Sequence, residues 1–136
     1  MKPPMISGAR FTQERDPLSA LRVPLPIDVV QVQSTATTIF TADDDADFLI
    51  TTLIAANVSG GASSITLHIV PASGSAATAN KIIDAEAIPA NEYIGYASSE
   101  QQIILPPGSS LVALTATNDD VNIWGMGYRY QGAYSE

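Results

Sequence analysis

The chain has 136 residues and a net charge of −8, with 46 % hydrophobic and only 15 % charged residues. That length fits one domain, and the hydrophobic share is too high for an intrinsically disordered chain. There is no cysteine, which excludes disulfides, thiolate metal sites and a cysteine nucleophile. The acidic balance argues against nucleic acid as a partner, because binding a polyanion requires clustered Lys and Arg.

Residues 1–26 read as an extended arm. They hold Pro3, Pro4, Pro17, Pro24 and Pro26, five of the nine prolines. Each proline fixes φ, removes an N–H and biases the preceding residue towards extended backbone. Arg22-Val23-Pro24-Leu25-Pro26 is expected to be polyproline-like. No apolar run follows Met1-Lys2-Pro3-Pro4, so a signal peptide is not expected. Residues 1–22 carry Lys2, Arg10, Arg15 and Arg22 against Glu14 and Asp16, a net +2. Residues 23–136 carry Lys81 and Arg129 against twelve acids, a net −10. The arm is also apolar at Met5, Ile6, Phe11, Leu18 and Leu21, which a purely solvated tail does not need. These residues, with Arg10, Arg15 and Arg22, are candidate partner-binding positions.

From Ile27 the hydrophobic pattern has a period of two, and residues 27–136 read as one sandwich domain. Ile27 to Gln33 puts Ile27, Val29 and Gln31 on one face. Thr35 to Thr41 is β-favouring, and Asp43-Asp44-Asp45 is a turn. Phe48 to Asn57 is a long apolar, β-branched run suited to a central strand. Ser59-Gly60-Gly61 breaks it. Ser64 to Val70 alternates and ends at Pro71. After the small-residue loop Ser73 to Ala77 come an edge strand around Lys81 to Asp84 and a turn at Pro89-Ala90-Asn91. Short strands follow at Tyr93 to Ala97 and Gln102 to Leu105. Pro106-Pro107-Gly108 turns the chain into Ser110 to Thr117, and Asn118-Asp119-Asp120 turns it into Val121 to Tyr130. Eight or nine short strands with turns between them predict an all-β, antiparallel sandwich of jelly-roll type. No stretch approaches the roughly 18 apolar residues of a spanning helix, so a membrane is not an expected partner.

Ile39-Phe40-Thr41-Ala42, the strand Phe48 to Asn57, Ile65 to Val70, Ile88-Pro89-Ala90-Asn91-Glu92 and Leu105-Pro106-Pro107-Gly108-Ser109-Ser110-Leu111 follow one another in an order that resembles small β-sandwich virion proteins of tailed bacteriophages. The resemblance covers residues 38–130 and departs at Asp43-Asp44-Asp45, where a Pro or Gly turn belongs to the pattern. It implies a virion component: a capsid decoration (cement) protein, or a tail or fibre accessory protein. The implied partner is the major capsid protein or another virion protein. The chain is then expected to be a homo-oligomer, a trimer by preference, and to reside in the virion.

No chemistry competes strongly with that expectation. His68 is the single histidine; a triad also needs a positioned nucleophile and carboxylate, and no Gly-x-Ser-x-Gly elbow exists. As a mid-strand residue His68 is expected to face solvent or an interface. Asp43, Asp44, Asp45 and Asp47 lack the Gly and Glu positions of a calcium loop and read as a solvated turn. Asp84, Glu86, Glu92 and Glu100 offer carboxylates for glycoside hydrolysis without anything to position them. The expectation is a non-enzyme with no catalytic residue, metal or cofactor. Trp124, Met126, Tyr128 and Tyr130 share one face of the last strand, with Gly125 and Gly127 on the other. Trp124, Tyr128 and Tyr130 are therefore candidate interface anchors, with a carbohydrate-binding platform as the alternative.

Overall fold

The computed structural model describes residues 22–98 and 100–130. Nine strands follow in order: β1 (Arg22–Val32), β2 (Thr37–Thr41), β3 (Asp47–Asn57), β4 (Ser63–Val70), β5 (Lys81–Ile88), β6 (Tyr93–Ala97), β7 (Ile103–Leu105), β8 (Ser110–Thr115) and β9 (Val121–Tyr130). The first sheet runs β1-β9-β3-β6, with β7 also paired to β3; the second runs β2-β8-β4-β5. All pairings are antiparallel. The chain passes repeatedly between the two sheets, and this order is that of a jelly-roll sandwich.

Alternation along the strands builds the core. Phe48, Ile50, Leu53 and Ala55 of β3 are buried against Ile65 and Leu67 of β4 and Leu111 and Ala113 of β8. Phe40 of β2 stacks on Phe48, ring centroids 4.1 Å apart. Burying each of the larger of these side chains, the Phe, Ile and Leu residues, contributes about 1.5–3 kcal/mol before ordering costs are subtracted.

Two expectations about β1 change. Arg22 to Pro26, read as the end of the arm, lies within β1, where Pro24 sits opposite Tyr128 and Pro26 opposite Met126. β1 is an edge strand, and prolines two residues apart turn the same side outward, so no ladder N–H is lost from the β9 side. The phase of β1 also breaks. Ile27 pairs with Gly125 but Val30 with Ile123, so Asp28 and Val29 together oppose one residue of β9, a β-bulge. Ile27, Val30 and Val32 therefore turn towards the core, and Val29 is exposed.

The sandwich has two ends. One carries the turns after β1, β3, β5 and β8. The other carries the β2–β3, β4–β5 and β7–β8 connections, the start of β1 and the finish of β9: Arg22 and Tyr130 stand opposite each other there. The β4–β5 connection folds back over the outer face of the second sheet and covers His68, which is expected to face solvent or an interface and is instead buried within the chain. His68 Nδ1 lies 2.8 Å from Asn80 Oδ1 and 3.1 Å from the Ala77 carbonyl. Two acceptors facing one ring nitrogen place the proton on Nδ1. His68 thus pins a loop.

Candidate partner-binding surface

Three interface candidates of the last strand occupy the outer face of the first sheet. Val121 and Ile123 of β9 are fully buried, so the alternate positions Trp124, Met126, Tyr128 and Tyr130 point outward. Trp124, Tyr128 and Tyr130 are half-buried and Met126 is exposed. Across the sheet, Ile54 pairs with Trp124 and Leu49 with Tyr128; Ile104 pairs with Leu49 and is exposed. Pro24 and Pro26 continue the face on the β1 side. The result is an aromatic and aliphatic ladder on rigid strands, with few charges.

Gly125 and Gly127 are on the opposite, inward side. A methyl group at Gly125 would collide with the Thr52 carbonyl, and one at Gly127 with the Leu49 carbonyl and the Phe48 ring. Glycine is required here so that β9 can lie close against β3. The bulge at Thr51, between the pairs Ile50–Gly127 and Thr52–Met126, belongs to the same adjustment.

Arg22, the fourth described candidate, opens β1 as an exposed residue beside Tyr130. Met5, Ile6, Arg10, Phe11, Arg15, Leu18 and Leu21 lie outside the described residues. One charged cluster went unread in the sequence: Arg129 donates to Asp43 Oδ2 through Nε and to Asp45 Oδ1 through Nη2, the latter at 3.3 Å. The hydrogen bond that the guanidinium donates to Asp43 leads the causes that hold it above its ordinary pKa. Two of the three consecutive aspartates are thus tied to β9, 84 or more residues away in sequence. Among the described residues no group of three or more His, Asp or Glu is arranged to hold a metal ion.

The end of the sandwich where β1 starts also holds a groove of about 440 Å³, lined by Ile69, Pro71, Ala72, Ile82, Pro106 and Pro107 among others. Its rim is shaped by the turn Pro106-Pro107-Gly108-Ser109, closed by the Ser109 N–H to the Pro106 carbonyl at 3.0 Å. Gly108 takes φ 78 there, a left-handed position that follows Pro in a type II turn. This groove has no local signature, because its walls come from two connections, β4–β5 and β7–β8, that are remote in sequence.

No protein-family model matches the chain, and no curated protein matches it in sequence. Among solved structures, it is similar to a subunit of Bacillus endospore appendages, described as disulfide-linked pili, with TM-score 0.53 and 10 % identity over 81 % of this chain and 88 % of that one. More distant likenesses are to the extra small virus of the prawn Macrobrachium rosenbergii, in a virus-like particle (TM-score 0.40, 15 % identity, 79 % of this chain and 76 % of that one), and to infectious bursal disease virus (TM-score 0.40, 14 % identity, 83 % and 33 %). The likeness to the appendage subunit is one of fold. This chain has no cysteine, so disulfide linkage is not open to it.

Proposed function

We propose that the chain is a non-enzymatic structural subunit of a bacteriophage virion: a capsid decoration protein that works by contact with the major capsid protein. The observation that carries this reading is the outward ladder of Trp124, Met126, Tyr128 and Tyr130 flanked by Leu49, Ile54 and Ile104. Aromatic side chains on rigid strands lose little entropy on docking and dominate interface energetics. A surface with few charges is cheap to desolvate, which favours a protein partner. Met5, Ile6, Phe11, Leu18 and Leu21 add anchors on the arm, and Arg10, Arg15 and Arg22 guide register more than affinity.

Fold likeness to a pilus subunit favours a second reading, a tail or fibre component. Particles made without this chain distinguish the two when incubated with the purified protein and sedimented. Decoration predicts saturable binding to capsids, weakened about 30-fold or more by Trp124→Ser with Tyr128→Ser, a loss typical of interface hot spots, while the β circular dichroism is unchanged. Unaltered capsid binding by that double variant overturns the role of the face; binding to tails alone establishes the second reading.

A further inference from the structure

We infer that the free edge of β6 pairs with the same edge of a second copy, antiparallel about a two-fold axis at Ile94, so that the first sheets of the two copies become one. The inference is independent of the virion assignment.

The hydrogen-bond alternation of β6 exposes the groups this requires. The Asn57 N–H donates to the Glu92 carbonyl at 2.8 Å, which makes Asn57–Glu92 a hydrogen-bonded position of the β3–β6 ladder. Antiparallel positions alternate, so Ala55–Ile94 is bonded as well, while Ala56–Tyr93 and Ile54–Gly95 are not. The N–H and C=O groups of Tyr93 and Gly95 therefore point away from β3, at an edge that no described strand covers. An antiparallel copy centred on Ile94 sets Tyr93 opposite the partner's Gly95, and Gly95 opposite the partner's Tyr93. Each pair exchanges both of its backbone bonds.

Side chains fit the same register. Ile94 packs against the core, so Tyr93 and Gly95 stand on the outer face. Tyr93 is 71 % exposed, the most of the large hydrophobic side chains among the described residues. A side chain begun at Gly95 would meet nothing within 4 Å. One edge thus carries an uncovered ring and, two residues on, an uncovered stretch of backbone. The two-fold lays each against the other, as a self-complementary interface requires, and a cross-strand aromatic ring over an edge glycine stabilises a sheet. No charged residue lies within Tyr93–Ala97. The register also sets Glu92 opposite the partner's Tyr96, away from the partner's Glu92. A chain of net charge −8 can meet its own copy here without opposed carboxylates.

The other edges are guarded. β1 has Pro24, Pro26 and its bulge. β5 carries Lys81, Asp84 and Glu86 and takes φ 49 at Ala85. β2 is uncharged, but its bulge at Ile39 falls in the middle of five residues. The bulge of β6 falls at Tyr96, between the pairs Leu53–Ala97 and Ile54–Gly95, and leaves Tyr93 to Gly95 regular.

The joint is small. An edge about 17 Å long on a sandwich about 20 Å deep buries roughly 700 Å² over both copies, below the ~1,200 Å² of a standard interface. The dimer is therefore weak and fills at high protein concentration. Its axis stands normal to the sheet, so the Trp124 ladders of both copies face one way. It closes at two copies, where the resemblance drawn from the sequence implies three.

Sedimentation equilibrium of the full chain at high micromolar concentration, free of any particle, tests this directly. The expected result is a monomer–dimer equilibrium. Gly95→Glu and Tyr93→Lys should each weaken the dimer about tenfold or more with unchanged β circular dichroism, since both positions are exposed. An equimolar mixture of these two variants should associate again, because the introduced carboxylate and ammonium then face each other. Thr38→Lys, on the edge of β2, should leave the dimer as it is. A full chain that stays monomeric overturns the inference, as does a dimer indifferent to Gly95→Glu, one abolished by Thr38→Lys, or a mixture that fails to associate. Particle sedimentation reports the proposed function separately, so failure of one leaves the other legible.

Discussion

The edge of the Phe48 ring lies over Gly127: a side chain begun at Gly127 would stand 2.7 Å from two of the ring's carbons. Phe48 in turn stacks on Phe40 of the other sheet. Gly127→Ala should therefore cost about 1–3 kcal/mol, the usual range for overpacking. Gly60→Ala, with open space around it, should stay within about 0.5 kcal/mol. Urea unfolding of the two variants measures the difference; equal midpoints would refute the packing argument.

Asn57 ends β3 almost fully buried. Its Nδ2 donates to the carbonyls of Gly61 and Ile88, each at 2.8 Å, and its Oδ1 accepts the Ser59 N–H and hydroxyl. One amide thus joins the β3–β4 turn to the end of β5. Asn57→Ala leaves the Ile88 carbonyl without that donor and should cost about 1–3 kcal/mol. Asn57→Asp loses both donated bonds and places a carboxylate against two carbonyls, so it should unfold at lower denaturant than Asn57→Ala.

Tyr96 of β6 donates its hydroxyl to Glu86 of β5 at 2.9 Å, bridging the open edge between the sheets. Burial first, then the bond and charge of Glu86, raise the phenol above its ordinary 10.0. The folded protein keeps this proton where an unfolded tyrosine releases it. The stabilisation is thus complete below pH 10 and declines as pH rises beyond it towards the raised folded value. Unfolding measured on both sides of pH 10 should show a shallower decline in Tyr96→Phe than in the parent chain; identical slopes would contradict the assignment.

Strands were legible wherever one face is buried, because a one-residue slip there exposes the whole core set. Phe48 to Asn57 and Val121 to Tyr130 carry that signal, and their outward ladder followed from it. β1 was legible only from Ile27. Its first residues sit at an unpaired edge where prolines are tolerated, so local propensity pointed to an arm. The Asp28–Val29 bulge, the burial of His68 and the grip of Asp43 and Asp45 on Arg129 each depend on a segment remote in sequence. A period of two does not encode such contacts, and the groove walls belong to the same class.

We propose that the chain serves as a structural component of a virion. Quantitative mass spectrometry of purified particles tests it most directly. The expected result is this chain in a fixed stoichiometric ratio to the major capsid protein, preserved across preparations. Particles that lack the chain, while it accumulates in the lysate that produced them, would contradict the account.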